Sequence, residues 1–369
     1  MIDTTLLKRE ELAVYTLRAL YKKYGYMPYK MSKFEEYDLY VQNKDFLVSD
    51  RVITFNDTSG KLMALKPDVT LSIIKNAEDT QGQKTKVYYN ENVYRVSEST
   101  HQFKEIMQAG LECIGDIGEY DVREVIYLAI KSLESISDKF VLDISHLDIT
   151  AAILDSISSD ELFRAEILES LRKKSRHDIE RICQKYGVSE SNSDTLSKIA
   201  GIYCTLDRAI EELTPLCTAP EAKSALDELC GIWELIKDTT YAERVRVDFS
   251  IISDMNYYNG IVFSGFIDGI FTKVLSGGRY DRLMHRMGKR AGAVGFALYL
   301  DLLEGIEAEE AEYDVDTLIL TSDKAGAKEI SETVARLTKL GQSVSVQKSI
   351  PEKLRYREII KIGCEEGKK

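Results

Sequence analysis

The feature that most restricts this chain's fold is an interruption. From residue 150 to about 243 it carries consecutive helical patterns, ITAAILDSI, DELFRAEILESLRKK, HDIERICQKYG, DTLSKIAGIYCTLDRAIEEL and EAKSALDELCGIWELIK, parted only by short polar turns. On both sides of that block, strand-like runs dominate. Upstream, RVITFND and SGKLMALK flank the turn residues Asp57 to Gly60 and predict a hairpin, while KVYYNENVYRV and EIMQAGLECIG predict a second antiparallel pair. Downstream, RVRVDFSI resumes the alternation, YYNGIVFSGFIDGIFTKVLSGG reads as strands joined by glycine turns, and AGAVGFALYLDLLEGI as a buried strand passing into a helix. Hairpins without regular strand–helix alternation favour an α+β fold, an antiparallel sheet flanked by helices, over a doubly wound one.

Two further helices are expected, TLLKREELAVYTLRALYKKY closed by Gly25 and EYDVREVIYLAIKSLESI. The expected division is a core domain over 1–310, with the helical insert at about 150–243, and a small C-terminal α/β unit over 311–369. That unit reads as strand–helix–strand, DTLILTS, AKEISETVARLTKLG and QSVSVQ, ending in a short helix and a charged tip.

Composition narrows the chemistry. A formal charge of −12 weighs against a general nucleic-acid binder. The six cysteines form no Cys-x-x-Cys pair and the four histidines lack metal-ligand spacing, so neither metal nor cofactor is expected. There is no P-loop, and GDIGEY is too short for a dinucleotide fingerprint. No apolar run reaches the roughly 18 residues of a membrane span. The opening MIDTTLLKREEL lacks the pattern of a signal peptide, which makes the cytoplasm the expected location.

Five segments, in order over roughly residues 5–305, resemble the histidyl-tRNA synthetase family. YYNGIVFSGF at Tyr257–Phe266 and the GGRYD box of Ser276–Leu283 resemble its two histidine-specific signatures. AVGFALYLDLL at Ala293–Leu303 is similar to the third motif of class II aminoacyl-tRNA synthetases, and Val93–Val96 with Glu105–Gly115 to the strands of the second. ALKPDVT at Ala64–Thr70 resembles the amino-acid-binding turn. The resemblance implies a class II synthetase-like sheet of six or seven antiparallel strands, self-association as a dimer, and a ligand site on the open face. In that site Asp68, Thr70 and Gln108 would accept from the ammonium of histidine, and Glu112, Tyr258 and Tyr257 would grip its imidazole. Gln108 and Glu112, four apart on a strand, point to one face.

The departures concern adenylation. Where the family's third motif has Gly-Leu-Glu-Arg-Leu, this chain has Tyr299-Leu300-Asp301-Leu302-Leu303, so Leu302 replaces an arginine that contacts ATP. An aliphatic chain cannot neutralise phosphate. Ser253 replaces the arginine of Arg-Gly-Leu-Asp-Tyr-Tyr. Arg95 persists and could stand in as the carboxylate's cation, but VSESTHQFK lacks the arginine-rich loop pattern, and no full anticodon-binding domain follows Tyr313. No catalytic residue is therefore assigned. The combination resembles a regulatory branch of the family, and implies a short-form ATP phosphoribosyltransferase catalytic subunit as partner, histidine as effector, and no tRNA. Two alternatives stay open, a divergent working synthetase and a stand-alone histidine- or tRNA-sensing protein. Structural roles also compete: Tyr257 and Tyr258 as strand aromatics, Asp68 as a helix cap, Arg279–Asp281 as an ion pair, His146 as a satisfied core histidine.

Overall fold

The computed structural model describes residues 7–43, 52–78, 82–96, 101–252, 257–305 and 312–363. The first half runs α1 (Arg9–Lys23), β1 (Met27–Pro28), β2 (Phe34–Glu36), α2 (Tyr37–Gln42), β3 (Thr54–Asn56), β4 (Leu62–Leu65), α3 (Thr70–Asn76), β5 (Lys84–Val96), β6 (Phe103–Gly115), α4 (Glu119–Glu134) and β7 (Phe140–His146). The insert follows as α5 (Leu147–Ile157), α6 (Glu161–Arg172), α7 (Arg176–Lys185), α8 (Glu190–Gly201), β8 (Tyr203–Thr205), α9 (Leu206–Leu213) and α10 (Pro220–Ile236). Then come β9 (Val245–Asp248), β10 (Ile261–Ile267), β11 (Leu275–Arg279), α11 (Asp281–Arg286), β12 (Gly292–Tyr299) and a 3-10 turn at Leu300–Gly305. The last elements are β13 (Val315–Thr321), α12 (Ala327–Lys339), β14 (Val344–Gln347) and β15 (Tyr356–Ile362).

Local chemistry explains where the insert breaks into separate helices. Asp160, Ser175 and Ser189 each accept from a first-turn N–H, of Phe163, Asp178 and Asn192, and start α6, α7 and α8. Pro220 opens α10 at a position where its missing N–H costs nothing. The one strand within the insert, β8, leaves no alternation to read; three residues are too few for a period to show.

The chain divides into two units, Met1–Ile306 and Glu307–Lys369. In the first, the main sheet has nine strands among the described residues, ordered β1-β5-β6-β12-β11-β10-β7-β9-β8. The inner ladders from β5 to β7 are antiparallel. Parallel pairs β1/β5 and β7/β9 make the sheet mixed, and carry it past the six or seven antiparallel strands expected. A separate three-stranded antiparallel sheet, β2-β4-β3, contains the expected hairpin.

In the second unit β13 lies between β14 and β15, with both pairs parallel. The expected terminal short helix is corrected here: Tyr356–Ile362 forms β15 instead. Its apolar positions satisfy either period, and the β-branched Ile359, Ile360 and Ile362 prefer the strand.

The main sheet has two unlike faces. Leu111, Cys113, Phe296, Leu298, Leu275, Phe263, Leu142 and Ile144 point to one of them and join α4 and the insert helices in the principal core. On the other face the register aligns Glu91, Gln108 and Tyr299, then Gly110, Ala297, Ser276, Ser264 and Asp143, then Glu112, Gly295 and Gly278. Small and polar residues dominate this second face. Among the described residues no helix is long and apolar enough to cross a membrane.

Candidate functional site

The site is built on the polar face, where glycines remove the floor's side chains. A Cβ at Gly295 would lie 1.8 Å from Glu112 Oε2, and one at Gly278 would lie 2.7 Å from the Tyr258 ring. Both groups therefore occupy space that only glycine leaves open. The Glu112 side chain lies across β12, and the Tyr258 ring across β11.

Glu112 is the hub. It is buried, and its two oxygens accept from different elements: Oε1 from Thr70 Oγ1 at 2.8 Å, and Oε2 from Tyr280 Oη at 2.5 Å. Burial pushes its carboxyl up to about 8, against the lowering effect of those hydroxyls and with a further upward push from Asp68. At neutral pH this acid is mostly protonated, so it can donate to a ring nitrogen or exchange its proton with one. The Tyr257 ring packs against Tyr258 at a tilt of 53°, with centroids 4.4 Å apart, and its centroid lies 5.8 Å from that of Tyr280. It also hydrogen-bonds Thr70. An aromatic wall beside a carboxyl group, at the bottom of a glycine-lined floor, fits a flat heteroaromatic ring with polar nitrogens.

Asp68 stands at the start of α3 and accepts from Leu71 N at 2.9 Å, which is the capping role. The cap uses one lone pair and leaves further acceptor capacity on the carboxylate. Burial raises its carboxyl above the ordinary range, and the Leu71 N–H and the Arg95 guanidinium oppose that rise. The loop carrying Asp68 is pinned twice. Arg95 Nε donates to Pro67 O at 2.9 Å, and Tyr94 N donates to Lys66 O at 2.9 Å. Lys66, almost without exposure, pairs with Glu91 Oε2 at 2.5 Å, which satisfies a charge that would otherwise be buried alone. Arg95 also hydrogen-bonds Tyr299, the residue opposite Gln108.

Thr70, Glu112 and Tyr257 thus form one bonded group, with the Tyr258 ring packed against it. Arg95 links the rest: it bonds Tyr299, which pairs with the buried Gln108 two rows along the face from Glu112, and it bonds Pro67, beside Asp68. Tyr280 is a site residue that the sequence reading misses, although it sits inside the GGRYD box beside Arg279 and Asp281. Those two neighbours do form an ion pair, 2.7 Å from Arg279 Nε to Asp281 Oδ2. Asp281 also accepts from Ala293 N at 2.9 Å and Asn259 Nδ2 at 3.3 Å, bracing the turn that presents Tyr257 and Tyr258. His146 is buried and contacts Glu228 Oε2 at 3.3 Å through Nε2. Among the described residues no group of three or more His, Cys, Asp or Glu is arranged to hold a metal ion.

The position facing adenylation differs from this pocket. Leu302, where the resemblance placed an arginine, packs against the principal core. Ser253 and residues 97–100 of the VSESTHQFK segment lie outside the described residues.

Similarity to other proteins follows the same motifs. An ATP phosphoribosyltransferase regulatory subunit from Alkaliphilus metalliredigens is 28% identical over 88% of this chain and 84% of its own length. One from Ruminiclostridium cellulolyticum is 25% identical over 94% of this chain and 85% of its own. Among solved structures, an ATP phosphoribosyltransferase regulatory subunit/histidyl-tRNA synthetase from Bacillus halodurans superposes with a TM-score of 0.77 at 23% identity, covering 98% of this chain and 96% of that one. An ATP phosphoribosyl transferase complex from Thermotoga maritima includes a chain with TM-score 0.63 and 19% identity, covering 79% and 97%. The profile described as histidyl-tRNA synthetase matches residues 4–303. That stretch takes in the main sheet, the helical insert and each motif that builds the pocket, and the chain accordingly belongs to the histidyl-tRNA synthetase family.

Proposed function

We propose that this chain is a non-catalytic regulatory subunit of short-form ATP phosphoribosyltransferase, the enzyme of the first step of histidine biosynthesis, and that it binds free L-histidine in the Glu112 pocket. The observation that carries the reading is the pairing of the hydrogen-bonded Glu112 hub with Leu302, in the arginine's place, packed against the core. Glu112, Thr70, Tyr257 and Tyr258 take the imidazole, Asp68 and Gln108 take the ammonium, and Arg95 steadies the Asp68 loop and offsets its charge. A nucleotide needs cations around its phosphates, and a leucine in the arginine's place supplies none. The phosphoribosyl transfer belongs to the partner's active site. Histidine regulates by differential binding: it stabilises the arrangement of the complex in which the partner is slow, by the ratio of its affinities for the two arrangements.

The test combines two assays. Adding this chain to the short catalytic chain of the same organism is expected to switch on ATP- and phosphoribosyl pyrophosphate-dependent turnover, and L-histidine to reduce it. The chain alone is expected to give no histidine-dependent ATP–pyrophosphate exchange. Exchange at a synthetase-like rate, or a catalytic chain equally active alone, contradicts the reading.

A further inference from the structure

A zwitterionic ligand needs a cation as well as an acid, and the proposed contacts offer only Arg95, whose Nε is tied to Pro67 O and whose side chain bonds Tyr299. A second cation stands across the floor. Lys273, in the loop between β10 and β11, donates through Nζ to Ser276 Oγ at 3.5 Å. Ser276 in turn shares a hydrogen bond with Tyr258. One hydroxyl therefore links this ammonium to the tyrosine that walls the ring pocket.

Register shows which side Lys273 occupies. Ser276 pairs with Ala297 and Ala297 with Gly110, so β11 lies two strands from β6, about 9.6 Å at the usual spacing. Tyr94 N bonds Lys66 O and Arg95 Nε bonds Pro67 O, so β5 holds the Asp68 loop on the other side of the floor from β11. Going up the sheet from the Glu112–Gly295–Gly278 row, the next row on this face is Gly110–Ala297–Ser276 and the one after it begins at Gln108–Tyr299. With the ring at the Glu112 row, as the histidine reading has it, the head group points up the sheet toward the rows of Ser276 and Gln108.

We infer that Lys273 and Ser276 form a carboxylate subsite, which selects α-amino acids over amines carrying the same ring. Among the described residues no carboxylate is within ion-pair reach of Lys273 Nζ. An arriving carboxylate supplies the ion-pair partner that this ammonium does not have among the described residues. The inference rests on the histidine reading above, and adds the contact that recognises the acid end.

Calorimetric titrations with L-histidine and with L-histidinol, whose carboxylate is replaced by a hydroxymethyl group, separate the two. Lys273→Met is expected to weaken histidine about tenfold while leaving histidinol unchanged, and Lys273→Arg to keep most of the preference for histidine. Unchanged histidine affinity in Lys273→Met overturns the subsite alone, as does an equal loss for both ligands. Failure of the unaltered chain to bind either ligand overturns the histidine reading and the subsite with it.

Discussion

The two faces of the central sheet are made by the same strands and do opposite work. On the face holding Phe263, Leu275 and Phe296, aliphatic and aromatic side chains interlock with α4 and the insert. On the other, glycines at 278 and 295 clear a floor, and the space goes to the Glu112 carboxyl group and the Tyr258 ring. Burying Glu112 costs stability, as its raised pKa records, and hydrogen bonds from Thr70 and Tyr280 only partly offset that cost. If the proposed histidine site is right, alternate residues along one strand separate holding the fold from holding a ligand.

This division can be broken first on the apolar face. Phe263→Ala removes a buried ring that stacks edge-on against Phe296, and is expected to lower the unfolding free energy by about 3–5 kcal/mol. Histidine affinity of the folded fraction should not change, which denaturant melts and calorimetry on one sample can check. A smaller loss is expected on the polar face. Tyr280→Phe keeps the ring and removes only the hydroxyl donated to Glu112, costing about 1–3 kcal/mol in stability. Here the histidine affinity should drop as well, because Glu112 loses one of the two bonds that orient it. If Tyr280→Phe lowers stability and spares binding, the polar face is structural and the comparison fails.

Much of this is legible in the sequence because period two needs no tertiary information. Gln108 and Glu112 share a face, the hairpins are local, and the helical block from 150 onward stands out against its flanks. Non-local pairing is not legible. β12 inserts between β6 and β11, and only that placement lets Tyr280 reach Glu112, 168 residues away. The parallel partner of β7 lies across the whole insert, and β1 is two residues long. Neither leaves a periodic trace. Lys273 is equally invisible, because an exposed loop lysine carries no pattern until its neighbour Ser276 is seen bonded to Tyr258. The seven proposed histidine contacts come from the resemblance, and Leu302 needs coordinates to show that it packs against the core.

The most direct test of the central claim is the pH dependence of histidine affinity, measured by calorimetry in parallel for the unaltered chain and Glu112→Gln. With Glu112 protonated up to about 8 in the empty pocket, ring and acid share one proton when histidine binds at neutral pH. Above that value the acid has ionised, and binding must take a proton up from solution, whereas the amide of the Glu112→Gln variant has no such proton to lose. The ratio of the two affinities is therefore expected to favour the unaltered chain, stay level below pH 8 and fall above it, by up to about tenfold per pH unit. A ratio near one at every pH would contradict the account, because Glu112 would then not touch the ligand.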